Sequence, residues 1–403
     1  MIFSASCIDR SAMPVVELSG LNKTPGGPHR RCVYGSRIRM GLTFGGVPRP
    51  MLLTAFRAPP RIPDLSSRKA VSMVNIAMVG LGWWGRKMVD VLERSDIVKV
   101  TRIVEPNTNA ARPVADEKRI PLSADLAEAL ADPNVEAVVL ATPHTLHGAQ
   151  IAQAVAAGKH VFCEKPLALT RHEAVAAVEL CRAAGLVLGM GHERRYEPPV
   201  AALLADAAAG RLGRILQIEA NFSHDKFLSL TPDNWRLDPA HAPAGGMTAT
   251  GIHLTDLAVK ILGAARDVTV SCEALVSDLP SGDTMSAFIR FANGGTAYVS
   301  ASLGYPFISR FAVYGHDGWI EIRDKAHVEA PDGWVVTKGL KGRPITVEEV
   351  GRAEPVLWNL EAFGRAVRGE APYPISGDEM IRNIALLEAI TKSAHSGQTE
   401  QVP

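Results

Sequence analysis

Short apolar runs alternate with helical patterns over residues 73–195. The runs "VNIAMV", "VKVTRIVE", "VEAVVLAT" and "KHVFCE" are strongly apolar, whereas "ADLAEALA" and "LHGAQIAQAVAAG" repeat apolar positions every three to four residues. Apolar strands separated by helices are typical of a parallel sheet that is covered on both faces. The pattern therefore predicts a doubly wound α/β domain over 73–195.

A different pattern begins after "ERRYEPP". One helix is predicted over 199–209, a strand follows in "GRILQIEANFS", and a second helix is predicted over 246–262. The segments "FANGGTAYV", "YGHDGWIEI" and "EAPDGWVV" carry turn signals that predict three hairpins. With a helical tail from Trp358 to Ser396, residues 196–403 are predicted to form an α+β domain with a large, mostly antiparallel open sheet.

The first 72 residues differ in composition from the rest. They contain 11 Lys and Arg against 3 Asp and Glu, with 7 Gly and 8 Pro, and they lack apolar periodicity. Such composition predicts disorder. A targeting presequence, a basic interaction arm and upstream sequence outside the native protein all fit. The third interpretation, with Met73 as the true start, is favoured.

The bulk composition limits the classes of partner. The 403 residues carry a net charge of only +1, and outside the leader no basic stripe suited to nucleic acid is present. No apolar run approaches the roughly 18 residues of a membrane span. The five cysteines are scattered without a C-x-x-C pair, which favours a reducing cytoplasm and argues against a zinc site. A cytoplasmic protein that binds neither nucleic acid nor membrane is therefore expected.

A glycine-rich loop indicates a dinucleotide. "VGLGWWG" places Gly80, Gly82 and Gly85 in G-x-G-x-x-G spacing between a predicted strand and helix, where glycines allow a tight turn, approach of a pyrophosphate and close helix packing. Glu105, about 20 residues further on, ends the next strand, where an acid binds ribose hydroxyls. Because a carboxylate repels a 2′-phosphate, NAD is preferred over NADP. Leu81, Trp83 and Trp84 complete the predicted loop contacts, although packing explains the tryptophans equally well.

Further polar residues lie where ligands would bind. Two strands end in "ATPHTLH" and "FCEKPLALT", the second with Glu164 and Lys165, and ligands of open parallel sheets bind at this edge. Alone, a lysine at a strand end is more often a solvated charge. In "AGGMTATGIHLTD", His253 and Asp256 lie off the apolar stripe of the predicted helix and are expected to share another face.

These segments together resemble a known family. "VGLGWWG", "ATPHTLH", "AGKHVFCEKPLALT", "GHERRYEP" and "GGMTATGIHLTD" occur in the order found in the Gfo/Idh/MocA oxidoreductases, over about residues 73–395. The resemblance implies a Rossmann domain followed by a domain whose open sheet serves ligand binding and assembly into a homodimer or homotetramer. It also implies hydride transfer between a nicotinamide and a sugar, cyclitol or related alcohol.

The resemblance implies site residues position by position. Lys165 corresponds to the catalytic lysine of E-K-P, His253 to the catalytic histidine, and Asp256 to an acid that touches substrate hydroxyls. The implied cofactor contacts beyond the loop are Thr142, Pro143, His144, His147, Glu164 and Lys165, with His144 where asparagine is usual. Arg195, Trp235 and Arg236 are candidates for the wall of the substrate cleft, although a domain interface explains them equally well. No metal is implied.

One position departs from the family pattern. Family members commonly carry an aspartate four residues before the catalytic histidine, and here that position is Ala249. At this helical spacing an aspartate would touch the histidine and raise its pKa, which alanine cannot do. The sequence therefore predicts a greater dependence of catalysis on Lys165 than is usual.

The predicted function is that of an NAD(P)-dependent dehydrogenase acting on CH–OH groups. Lys165 would stabilise the developing alkoxide, and His253 would accept the hydroxyl proton. Two alternatives stay open. One is a regulator that binds NAD without turnover, and the other is a sugar oxidoreductase that recycles a tightly held cofactor.

Overall fold

The computed structural model describes residues 72–403. The predictions about the leader, including its disorder, concern residues that lie outside this range. Over the described residues, no helix has both the length and the apolar character that crossing a bilayer requires.

The first sheet is parallel throughout. Its strands are β1 (Val74–Val79), β2 (Val98–Val104), β3 (Leu122–Ser123), β4 (Ala137–Leu140), β5 (His160–Cys163) and β6 (Leu188–Met190). They are arranged in the order β3-β2-β1-β4-β5-β6, in which the chain reverses direction across the sheet between β1 and β4. Ligands of such doubly wound sheets bind outside the carboxyl ends of the strands at that switch point.

Five helices connect these strands: α1 (Trp83–Leu92), α2 (Thr108–Lys118), α3 (Leu126–Ala131), α4 (His147–Ala156) and α5 (Arg171–Ala183). Helices α1, α3 and α4 follow the pattern predicted above. Helix α2 was not predicted, because it contains Pro113 and buries only Ala111 and Ala115. A helix with so narrow an apolar face has too little periodicity to be recognised.

The second sheet has nine strands. The remaining elements are α6 (Pro198–Ala208), β7 (Ile215–Ser223), α7 (Ile252–Leu262), β8 (Ala265–Glu273), β9 (Thr284–Phe291), β10 (Thr296–Ser302), β11 (Ile308–Gly315), β12 (Gly318–Asp324), β13 (Trp334–Leu340), β14 (Thr346–Val350), α8 (Pro355–Val367), α9 (Gly377–Ser396) and β15 (Glu400–Gln401). The order is β14-β13-β12-β11-β7-β10-β9-β8-β15, and β7 with β10 is the parallel pair in an otherwise antiparallel sheet. The predicted fold class is confirmed. The third predicted hairpin is looser than expected, because residues 325–333 separate β12 from β13.

The predicted helix over 246–262 is not α-helical throughout. A π-helical turn, Met247–Gly251, precedes α7. Two close contacts accompany this widened turn. Gly246 packs so closely against the Ala301 carbonyl that an added Cβ would overlap it, and the Thr250 hydroxyl donates to the Phe222 carbonyl at 2.6 Å. Such π-helical turns occur frequently at functional sites. The α-helical spacing assumed between positions 249 and 253 therefore does not hold.

A helix from the end of the chain covers the first sheet. The Phe363 ring on α8 meets the Phe162 ring of β5 edge to face, with centroids 5.7 Å apart, and the Asn359 amide donates to the Met190 carbonyl at 2.9 Å. The chain thus returns to the first sheet after completing the second. The domain boundary near residue 195 stays a prediction.

Candidate active site

A cavity of about 460 Å³ opens where the first sheet faces the second. Its wall combines the glycine-rich loop, the carboxyl ends of β4 and β5, the end of β7, the π-helical turn with the start of α7, and the segment after β12. The predicted site residues on this wall are Trp83, Trp84, Thr142, His144, Glu164, Lys165, Trp235, Arg236 and His253. The structure therefore brings together side chains that the sequence separates by up to 170 positions.

The glycine-rich loop leaves space at the start of α1. Gly80 has φ +90°, and a Cβ there would lie 2.6 Å from the Ala141 carbonyl oxygen. At Gly82, by contrast, an added Cβ would have no heavy atom of residues 72–403 within 4 Å. No side chain of the described residues caps α1 at Gly82, so the first N–H groups of the helix are available to an anion. This loop fits the pyrophosphate of a dinucleotide.

Glu105 is held beside the same loop. The Leu81 N–H donates to its Oε2 at 2.8 Å, and the Asn107 N–H donates to its Oε1 at 3.0 Å. These bonds fix the carboxylate at the end of β2, next to the turn that fits the pyrophosphate. An acid in this position can accept hydrogen bonds from ribose hydroxyls.

Lys165 connects the two halves of the cavity wall. It follows β5, and its Nζ donates to the Ala249 carbonyl oxygen of the π-helical turn at 2.6 Å. Burial lowers the pKa of Lys165, whereas the nearby carboxylates Glu164 and Glu193 oppose this shift. Burial also raises the pKa of Glu164. The ammonium group is therefore fixed in the cavity rather than solvated at a strand end.

His253 is a buried, neutral imidazole on the cavity wall. It is the second residue of α7, and burial lowers its pKa well below the usual range, with Lys165 adding to the shift. Its Nε2 lies 3.7 Å from Glu193 Oε1. Its Nδ1 has no hydrogen-bond partner within residues 72–403. A neutral ring with an unpaired nitrogen can accept a proton.

Arg195 and Asp256 do not line the cavity, although both were expected to contact substrate. The Arg195 guanidinium donates to both oxygens of Asp256 at 2.7 Å and also to Glu379 at 2.9 Å. Both members of the pair are buried, at 8% and 1% exposure, and both lie away from the cavity wall. The one-turn offset between His253 and Asp256 sends the two side chains to different partners. Asp256 therefore pairs with Arg195 and is not available to substrate hydroxyls.

His147 also lies off the cavity wall and contacts the turns that follow β4 and β5. It is fully buried, with Nδ1 2.8 Å from the Pro166 carbonyl and Nε2 3.1 Å from the Thr142 carbonyl. Burial lowers the pKa of His147, and a neutral imidazole donates only one of these two bonds. The ring ties the turn after β4 to the turn after β5. His147 therefore supports these two turns without itself being exposed to a ligand. Pro143 lies in the first of them, the turn that follows β4.

His144, Trp235 and Arg236 form one contiguous part of the wall. The His144 ring lies edge-on to Trp235 with centroids 4.7 Å apart, and the Arg236 guanidinium lies 4.3 Å from the Trp235 centroid and 5.5 Å from that of Trp83. Burial lowers the pKa of Arg236 to about 10. Stacking between aromatic rings stabilises such a cation and places it over the glycine-rich loop.

Several residues of the wall were missed from the sequence. Glu193, Phe222, His224 and His327 line the cavity, and Glu193 is the acid nearest to His253. Glu193 lies in the quoted segment "GHERRYEP", but nothing in that segment indicates which of its charged side chains is turned into a cavity. Within residues 72–403, no group of three or more His, Cys, Asp or Glu side chains is arranged to hold a metal ion.

Comparison with known proteins agrees with this geometry. Residues 74–192 match the Gfo/Idh/MocA model described as an oxidoreductase family with an NAD-binding Rossmann fold, and residues 201–321 match the C-terminal domain model of the same family. A scyllo-inositol 2-dehydrogenase (NAD(+)) of Bacillus subtilis is 30% identical over 354 residues, which are 82% of this chain and 96% of that protein. A D-xylose 1-dehydrogenase (NADP(+)) of Haloferax volcanii is 30% identical over 289 residues, which are 71% of this chain and 87% of that protein. The chain therefore belongs to the Gfo/Idh/MocA oxidoreductases.

A solved structure has the same fold. Levoglucosan dehydrogenase in complex with NADH and L-sorbose aligns with a TM-score of 0.74 at 22% identity, over 83% of this chain and 100% of that one. Family membership and the fold together make this chain an oxidoreductase with an NAD(P)-binding Rossmann fold.

Removal of the Asp256 carboxylate tests whether this residue serves as the structural partner of Arg195. Asp256→Asn is expected to reduce the free energy of unfolding by about 3 kcal/mol, because Arg195 keeps a buried charge with a weakened partner. Asp206→Asn, which removes a carboxylate paired with the largely exposed Arg211, is the control and should cost less than about 1 kcal/mol. Urea unfolding measures both. Unchanged stability with a raised KM for substrate would return Asp256 to the substrate site.

Proposed function

We propose that this chain is an NAD-dependent dehydrogenase or reductase that acts on a secondary hydroxyl or the matching carbonyl of a sugar, cyclitol or related alcohol. The observation that carries the proposal is the shared cavity of Lys165 and His253, bounded on one side by the glycine-rich loop. An ammonium group can donate a hydrogen bond to the oxygen of a hydroxyl group, and a neutral imidazole can accept the proton of the same group. The relatives that act on xylose and on scyllo-inositol support this class of substrate.

The residues of this chain divide the work as follows. A nicotinamide cofactor supplies hydride acceptance or donation when it is bound. Lys165 hydrogen-bonds the reacting oxygen and stabilises negative charge as the proton leaves. His253 accepts that proton, a contribution of about 10²–10⁴-fold in rate for a positioned base. The apolar and aromatic residues of the wall exclude water, which strengthens both interactions.

Glu105 supports a preference for NAD over NADP. Its carboxylate is fixed beside the loop by the backbone N–H groups of Leu81 and Asn107. A 2′-phosphate on the adenosine ribose would bring like charges together at this point, which costs several kcal/mol. Of the two relatives described above, one is named for NAD(+) and one for NADP(+), so the local charge at this strand end is the basis for the choice.

Assembly as a homodimer or homotetramer is proposed through the second sheet. One of its faces carries two aromatic pairs, Phe288 with Tyr298 at 4.9 Å and Tyr314 with Trp319 at 6.4 Å between centroids, and Tyr298 is 49% exposed. Exposed aromatic surface of this kind is common at protein interfaces. A cytoplasmic location is proposed because Cys163 and Cys181 are free, buried thiols.

Replacement of Lys165 tests the proposed reaction. Wild-type protein is screened with NAD⁺ against sugars, cyclitols and dihydrodiols by absorbance of the reduced nicotinamide, and Lys165→Met is expected to lower kcat at least about 10²-fold on any substrate found. Lys99→Met, on an exposed position of β2, is the control and should keep full activity. NADH binding by fluorescence should survive in both variants.

Other outcomes of that screen decide between functions. Full turnover by Lys165→Met would contradict the mechanism. NAD binding without any absorbance change over the panel would favour a regulator. A copurified nicotinamide that is bleached or formed by added sugars would instead indicate a recycled, tightly held cofactor.

Replacement of Glu105 tests the cofactor preference. Glu105→Ser keeps a hydrogen-bonding side chain but removes the charge, so the ratio of kcat/KM for NADP⁺ to that for NAD⁺ is expected to rise by about 10²-fold. Steady-state kinetics with both cofactors measure the ratio. If wild-type protein already uses NADP⁺ as well as NAD⁺, the proposed role of Glu105 is wrong.

A further inference from the structure

We propose that Glu193 is the carboxylate partner of His253 and relays the proton that this histidine takes from the substrate. The inference rests on the proposed function and deepens it. It assigns to Glu193 a positioning role, exerted through His253.

The geometry around Glu193 carries the proposal. Its Oε1 lies 3.7 Å from His253 Nε2, and its Oε2 has no hydrogen-bond partner in the described part of the chain. The side chain is only 3% exposed and lies on the cavity wall. A buried carboxyl oxygen without a partner is costly and requires an explanation. Contacts of catalytic pairs are often long until substrate binds, so a separation of 3.7 Å is compatible with a pair that tightens.

The charged neighbours in sequence are all engaged elsewhere. Arg194 donates to Ser309 at 2.9 Å and its Nη1 lies 2.9 Å from Asp324 Oδ2, while Arg195 is paired with Asp256. The short 3₁₀ turn Glu193–Tyr196 is therefore anchored by Arg194 to the second sheet and by Arg195 to α7. Anchoring by two arginines fixes the backbone at Glu193 and aims its carboxyl at α7.

Charged and titratable groups surround the pair of Glu193 and His253. Glu164 and Lys165 follow β5, His192 and Arg194 flank Glu193, and His327 lies after β12. Burial raises the pKa of Glu193, the Glu164 charge adds to this, and Lys165 opposes it. A carboxyl group whose pKa is raised toward neutrality can both hold and release a proton in the working pH range.

The proton path is balanced in each direction. During oxidation the substrate C–H hydride and its electron pair leave to the cofactor, and the O–H proton passes to His253 Nδ1. The proton on Nε2 is then stabilised by, or transferred to, the Glu193 carboxylate, and the substrate becomes a carbonyl. Before the next turnover, the Glu193 acid returns its proton to Nε2 as the proton on Nδ1 leaves to solvent through the cavity, so that His253 is again neutral with Nδ1 free. During reduction each step runs backwards, so no further oxidant or reductant is required.

Glu193→Gln tests this relay, with Glu193→Asp as the conservative variant and Glu197→Gln as the matched control. Glu197 is an equally buried carboxyl four positions away that pairs with Arg194 and lies off the cavity wall. For the alcohol oxidation, Glu193→Gln should lower kcat about 10²-fold with little change in NADH affinity. Because ionisation of Glu193 promotes the proton transfer, wild-type kcat should rise with pH, and this rise should flatten in Glu193→Gln.

Glu193→Asp should keep the pH-dependent rise at a reduced rate, and Glu197→Gln should keep the wild-type pH profile even if its stability falls. An unchanged pH profile in Glu193→Gln would overturn the proposal.

A second readout separates this proposal from the proposed function. In protein labelled with ¹⁵N-histidine, the His253 ring signal is assigned by its loss in His253→Gln. Titration of wild type should then show the His253 ring signals moving as Glu193 ionises, at a pH above that at which the imidazole itself loses its proton, and this inflection should be absent in Glu193→Gln. A wild-type His253 signal that does not respond to that ionisation overturns the pairing. If no substrate on the panel is turned over, the proposed function fails, whereas the titration still decides whether Glu193 and His253 form a pair.

Discussion

The hydrogen bond from Lys165 Nζ to the Ala249 carbonyl is the contact on which the site depends. It joins the end of β5, in the first sheet, to the π-helical turn that leads into α7. Without it, a buried ammonium group would lose its close acceptor, and burial of an unpaired charge is strongly unfavourable. The bond thus fixes the separation between the lysine and the element that carries His253. This contact therefore links two parts of the cavity wall.

The buried pair of Arg195 and Asp256 acts on the far side of α7. Its two bonds of 2.7 Å hold α7 in an orientation in which Asp256 faces the turn after β6 and His253 faces the cavity. The wide π-helical turn before α7 adds to this by letting the Ala249 carbonyl meet Lys165. The catalytic rate falls when a base is displaced even slightly, so rigid support of His253 matters for function. The buried ion pair of Arg195 and Asp256 therefore helps to hold His253 in the cavity.

The fold was predictable from the sequence because its signals are local. Continuous apolar strands, the spacing of Gly80, Gly82 and Gly85, and turn signals in the second half were sufficient for the class of both sheets. Helix α2 was missed because its pattern is interrupted by Pro113. The return of α8 onto the first sheet was missed because apolar periodicity says that a helix is amphipathic and not which surface it covers.

The site was predictable only where a motif carried it. Lys165, His253, Trp83 and Trp84 line the cavity, and each lies in a short, recognisable segment. The sequence could not show how Asp256, Arg195 and His147 are oriented, because their orientation depends on partners distant in sequence. Asp256 and Arg195 pair with each other, and His147 contacts the carbonyls of Pro166 and Thr142. Glu193 was overlooked because burial and the loss of a partner are properties of the folded chain, which no local pattern reports.

The central claim is that Lys165 and His253 flank the reactive end of a bound nicotinamide. A crystal structure of the protein grown with NADH tests it most directly. The account predicts the pyrophosphate against the glycine-rich loop and the nicotinamide ring inside the cavity. The C4 atom of the ring should lie close to Lys165 and His253. A nicotinamide bound outside this cavity, or one whose C4 is turned away from both side chains, would contradict the account.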